Sequence, residues 1–163
     1  MYYYLQVKPS SHGLGLFASK FSASPNEIIF GPNIDNGNGM GFICYYSKGP
    51  FMDSGTLDAR YPGDIKLEYA WQGRGVEVNS NKTNDYPGRY ANDCNDIQQG
   101  AAHYKHENKC NSKITKSGNA IVVKALKRIR NGQEITVAYG PSYWFKQKRL
   151  ARKRITKNSN RGR

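Results

Sequence analysis

Three groups of residues in this chain have the types and spacing that chemistry uses. Gly13-Leu14-Gly15-Leu16-Phe17-Ala18 matches G-x-G-x-x-G/A, a pattern whose glycines let backbone approach a pyrophosphate. Cys94, His103, His106 and Cys110 could gather around a zinc ion. Zinc ligands usually come in close pairs, however, and only His103 and His106 are close, so solvated histidines in a polar loop are the other reading. Tyr143-Trp144-Phe145 places three aromatics in a row ahead of a basic stretch, and such a run needs something to cover, either a ligand or the protein's own sheet. No clear acid–base pair stands out.

The elements that must position these residues are mostly short strands. Tyr3–Val7, Glu27–Phe30, Phe42–Tyr46, Ile65–Trp71, Val76–Asn79, Ala120–Leu126 and Glu134–Tyr139 have β-type composition, separated by Gly, Pro, Asn and Asp clusters. Ile135, Val137 and Tyr139 share one face, as a half-buried strand requires. Asn131-Gly132 signals a tight turn. Asn92–Ser117 is polar and reads as irregular. A helix is expected only near the end, capped by Ser142, with Trp144, Ala151 and Ile155 on one side. This pattern also disposes of the dinucleotide reading. Ser19-Lys20-Phe21-Ser22-Ala23-Ser24-Pro25 is too polar and too soon stopped by proline to build the helix that the fingerprint needs, which leaves two glycines in a loop that backbone or ligand approaches closely.

Composition sets the frame. The 163 residues carry 25 Lys+Arg against 12 Asp+Glu, a net charge of +13. That length suits one mainly β (α+β) domain, and 20 aromatic residues can build its core. No run of 18 apolar residues exists, so no membrane partner is expected, and the first residues do not read as a secretory signal. Three cysteines form no CxxC pair and no even framework, so the expectation is a reducing compartment without a disulfide scaffold. Residues 146–163 hold nine basic side chains and no acid, leaving +4 on residues 1–145. So dense a run suits nucleic acid, an acidic surface or a nuclear address, or is simply a solvated tail.

In order along the chain, three segments carry a resemblance. Ser11-His12-Gly13-Leu14-Gly15-Leu16-Phe17-Ala18 resembles the opening motif of the SET-domain protein lysine methyltransferases. Gly88-Arg89-Tyr90-Ala91-Asn92-Asp93-Cys94 is similar to the family's Arg-Phe-x-Asn-His-Ser segment. Ile129-Arg130-Asn131-Gly132-Gln133-Glu134-Ile135-Thr136-Val137-Ala138-Tyr139-Gly140 is close to its I-x-x-G-E-E-L-T-x-x-Y-G ending. The set covers roughly residues 5–145 and lacks Cys-rich flanks, so the chain resembles the minimal stand-alone type of some viral and protist proteins.

The resemblance implies a fold of small curved sheets with a C-terminal pseudoknot, a SET domain over residues 1–145 and a basic helix or tail over 146–163. It implies S-adenosylmethionine as cofactor, held by Gly13, Leu14, Gly15, Arg89, Tyr90, Asn92, Asp93 and Trp144, with no metal. It implies Tyr139 as the catalytic residue, with Phe30 and Tyr143 toward the substrate lysine. Two residues depart from the family pattern: Asp93 stands where His is usual, and Phe30 where many relatives have Tyr. The chemistry is an in-line displacement in which a lysine of ordinary pKa near 10.4 must attack as the neutral amine, so burial beside a sulfonium and orientation do most of the work. A histone tail is the expected substrate, with DNA or a nucleosome held by residues 146–163, a nuclear location, and a dimer as a compatible state. A non-catalytic chromatin or nucleic-acid binder on the same scaffold is the alternative, and cofactor affinity separates the two.

Overall fold

The computed structural model describes residues 4–11, 13–48, 51–52, 56, 59, 70–71, 74–76, 86–94 and 109–139. Their strands are β1 (Leu5–Ser10), β2 (Gly13–Ala18), β3 (Ile28–Phe30), β4 (Phe42–Ser47), β5 (Phe51–Met52), β6 (Ala70–Trp71), β7 (Arg74–Val76), β8 (Asn92–Asp93), β9 (Ser112–Ser117), β10 (Ala120–Ala125), β11 (Ile129–Arg130) and β12 (Glu134–Val137), with a 3₁₀ turn at Pro87–Tyr90. They form small sheets in the orders β1-β2-β12-β8, β4-β10-β9, β11-β3 and β5-β7-β6. Among the described residues no helix is long and apolar enough to cross a membrane. The expected C-terminal helix and the threading of the chain beyond Tyr139 lie outside the described residues.

Alternation decides which side chains build the core. On β12, Ile135 and Val137 are fully buried while Glu134 and Thr136 are partly exposed. The inward set meets Leu16 and Ala18 of β2, Ile29 and Phe30 of β3, Ile43 and Cys44 of β4, Val123 and Ala125 of β10 and Ile129 of β11 in one cluster, against which Tyr90 and Tyr139 pack. Burial of Cys44 pushes its thiol pKa up, because the interior disfavours the thiolate.

Two segments expected to be irregular are strands. Gly13–Ala18 is not a loop but β2, paired with β1 from Leu5↔Ala18 to Ser10↔Gly13 and with β12 at Glu134↔Phe17 and Ile135↔Leu16. Its two glycines hid it, because glycine weakens a strand's local signal, while partners on both sides supply what propensity lacks. Within the polar stretch 92–117, β8 runs parallel to β12, and β9 pairs along all six residues of β10. The turn at Asn131-Gly132 forms as expected, with Gly132 at φ +84°. It joins strands of different sheets rather than closing a hairpin. Asn131 also fastens it to the β2–β3 connection, accepting from the Lys20 amide at 2.9 Å and donating to the Ala23 carbonyl at 2.9 Å.

Candidate active site

β12 lies between β2 and β8, so the last described strand brings the first and second motifs together. Asn92 is the point of contact. Its Nδ2 lies 3.0 Å from Ser10 Oγ, 3.1 Å from the Leu14 carbonyl and 3.0 Å from Glu134 Oε1. Two amide hydrogens face three acceptors, so this nitrogen is fully used within the protein. Among the described residues Oδ1 of Asn92 accepts no hydrogen bond, which leaves an acceptor for an incoming donor.

The glycines of β2 serve this arrangement for different reasons. Gly13 adopts φ +93°, a conformation that side chains other than glycine resist. A Cβ on Gly15 would stand 2.5 Å from Glu134 Oε1 and 3.0 Å from Ser10 Cβ. Gly15 therefore makes room for the carboxylate that Asn92 holds, a packing role that the motif alone did not reveal.

Tyr139 is fixed at both ends. Its amide donates to Asp93 Oδ2 at 3.0 Å, and its hydroxyl donates to the Ala91 carbonyl at 2.7 Å. Asp93 is buried, at 5 % exposure. The carboxylate that departs from the family pattern thus anchors the backbone of the tyrosine through a charge-assisted bond. Because the hydroxyl hydrogen goes to Ala91, a third group in hydrogen-bonding reach of this oxygen meets its lone pairs.

Arg89 supplies a second unfilled group. Its Nη1 is buried and, among the described residues, without a hydrogen-bond partner, while the guanidinium carbon sits 5.5 Å over the ring of Tyr90. A buried guanidinium nitrogen left unpaired is costly, and an anion is its natural complement. The 3₁₀ turn carrying it lies tight on β4, since a Cβ on Gly88 would meet the Tyr45 carbonyl and Val123 Cγ2, each at 2.9 Å. Phe30 is 3 % exposed and belongs to the core cluster. Leu14 is half exposed. Tyr143 and Trp144 lie outside the described residues.

Two contributors were missed in the sequence. Asn111, nearly buried, donates from Nδ2 to the Glu134 carbonyl at 2.7 Å and accepts from the Thr136 amide at 2.9 Å through Oδ1. One side chain thereby occupies the edge of β12 as a neighbouring strand would. Only its place beside Cys110 in a polar stretch marks it, and that is a weak signal. The second is a disulfide between Cys94 and Cys110, with Cα atoms 5.1 Å apart. It corrects the expectation of a chain without a disulfide scaffold. The partners are 16 residues apart in sequence and meet because the chain following β8 and the chain entering β9 both lie against β12. With these sulfurs bonded to each other, the zinc set loses two of its ligands, and His103 and His106 lie outside the described residues. Cys44 is free and buried.

Beside this constellation is a cavity of about 510 Å³, whose walls include Asp93, Cys94, Asn111, Glu134 and Thr136. The outward side chains of β12 thus face the cavity, while its inward ones face the core.

The family comparison agrees with the three-segment pattern. A family model, the SET domain, matches residues 13–140. No curated protein matches the chain. Among solved structures the chain is similar to the methyltransferase domain of human PR domain-containing protein 2, at 16 % identity and a TM-score of 0.41, over 86 % of this chain and 79 % of that one.

Proposed function

Because the chain belongs to the SET domain family, we propose that it transfers a methyl group from S-adenosylmethionine to a lysine side chain of a protein. The observation that carries this reading is the double anchoring of Tyr139, with its amide on Asp93 and its hydroxyl on Ala91. When bound, S-adenosylmethionine supplies a methyl group made electrophilic by a positive sulfonium.

The residues present fit that cofactor. Its amino-acid end carries an ammonium and a carboxylate, and the chain offers a buried, unpaired Nη1 on Arg89 and the unfilled Oδ1 of Asn92. Gly13 and Leu14 are exposed beside Asn92, whose Nδ2 already holds the Leu14 carbonyl, while Gly15 is buried behind them and comes to the cofactor on the family resemblance alone. Tyr90 packs partly on the core below the guanidinium of Arg89. Asp93 holds the tyrosine in place and adds a negative charge beside a cationic reaction. Trp144 and Tyr143 are assigned to the cofactor and the lysine channel on the family resemblance alone, as is Phe30 toward the lysine.

Tyr139 acts by orientation. Its hydroxyl oxygen, with the hydrogen committed to Ala91, accepts from the lysine nitrogen and turns that nitrogen's lone pair along the displacement axis. The lysine arrives neutral because a site next to a sulfonium disfavours a second positive charge. We take a histone tail as the substrate, residues 146–163 as the contact to nucleosomal DNA, and the nucleus as the place of action. Labelled methyl transfer to core histones and nucleosomes, comparing wild type with Tyr139→Phe, tests the reading. Label on one histone that falls on the order of a hundredfold in the variant is the expected result. No label on any substrate, with no cofactor heat in calorimetry, overturns it.

A further inference from the structure

We propose that Cys94–Cys110 is a thiol–disulfide exchange site through which a small anionic thiol of the glutathione class sets the position of Tyr139. The link to methyl transfer rests on the function proposed above. The argument begins with the peptide neighbours of the two cysteines. Cys94 follows Asp93, whose carboxylate holds the Tyr139 amide, and Cys110 precedes Asn111, whose side chain holds Glu134 and Thr136 of β12. One covalent bond therefore joins the two residues next to those that grip β12 and the tyrosine beyond it.

The two sulfurs are not equally reachable. Cys110 is 1 % exposed, whereas Cys94 is partly exposed and lines the cavity. Lys109, Lys127 and Arg128 line the same cavity, against the two acids Asp93 and Glu134. Cationic surroundings draw in an anionic thiol and stabilise thiolates, so the attacking sulfur approaches Cys94. The incoming thiolate bonds to Sγ of Cys94, the bond between the cysteines breaks, and Cys110 leaves as a thiolate that takes up a proton. A second thiolate then attacks the mixed disulfide, releasing Cys94 as a thiolate that is protonated in turn. Two small thiols are oxidised to their disulfide and the protein disulfide is reduced to two thiols, so atoms and electrons balance.

The test uses the full chain, purified oxidised, in buffers of reduced and oxidised glutathione. Intact mass after alkylation counts the thiols, amide exchange reports the Tyr139 and Val123 N–H groups, and methyl transfer is measured in parallel. Reduction should add two alkylatable thiols while buried Cys44 stays protected. It should speed exchange at Tyr139 about tenfold or more without changing Val123 in the core, and lower transfer on the order of tenfold, reversibly on reoxidation. A Cys94→Ser/Cys110→Ser variant should match the reduced protein and ignore glutathione, but the wild type is its own control if that variant does not fold. Unchanged exchange at Tyr139 on reduction, or a bond that glutathione leaves intact in the folded protein, overturns the proposal. Equal transfer in both states also overturns it and leaves the methyltransferase reading standing. Absence of transfer in both states counts against that reading alone, and Tyr139 exchange still decides the thiol link.

Discussion

Asp93 shows how one side chain settles a position that sequence comparison left ambiguous. As a residue replacing His it looked like a departure; in the structure it is a buried acceptor 3.0 Å from the Tyr139 amide and holds that backbone. Replacing it by Ala strands that N–H and should cost roughly 1–3 kcal/mol, whereas Asn keeps an acceptor and should lose less, as thermal melts of the two variants would show. Cys44 gives a pH effect of known sign. Its folded pKa is raised, so above about pH 8.5 the unfolded chain releases a proton that the folded chain keeps. That contribution to stability is complete below the unfolded value and is lost as pH rises beyond it. Denaturant melts between pH 8 and 10 should fall more steeply for wild type than for Cys44→Ala. Asn92 and Tyr139 stood out in the sequence because each sits in a motif. The Cys94–Cys110 bond was not, since pairing across 16 residues depends on strands that a polar stretch conceals.

Among the elements, β12 depends most on what others supply. β2 pairs with it at Glu134 and Ile135 and β8 at Thr136 and Val137, while Asn111 satisfies Glu134 and Thr136 through its side chain. Asn111→Ala leaves a carbonyl and an amide of this strand without partners and should cost roughly 3 kcal/mol. Asn111→Asp should not rescue it, because a carboxylate can accept from Thr136 but sets an oxygen against the Glu134 carbonyl. Urea unfolding of both variants checks this. β12, through its alternation, and β10, through its apolar run, were readable from the sequence. β2, β8 and β9 were not, because their glycines and polar side chains carry little local preference and pairing alone makes them strands.

For the whole molecule, charge is divided as well as abundant, since nine of the 25 basic residues fall in 146–163. If that segment meets nucleosomal DNA, affinity should fall steeply between 50 and 200 mM salt, and removal of 146–163 should flatten the slope. Fluorescence anisotropy with nucleosomes at several salt concentrations measures both. The fold class was legible because strand composition and the three ordered segments agreed, whereas how the sheets close on one another was not, because it is written in contacts between distant parts of the chain. The insertion of β12 between β2 and β8 also governs biosynthesis. During synthesis β2 and β8 emerge before the strand that separates them. Their open edges then wait for β12, so the surroundings of Tyr139 are assembled only once that strand has emerged, and chains stalled before it should be sought among chaperone clients rather than among folded protein.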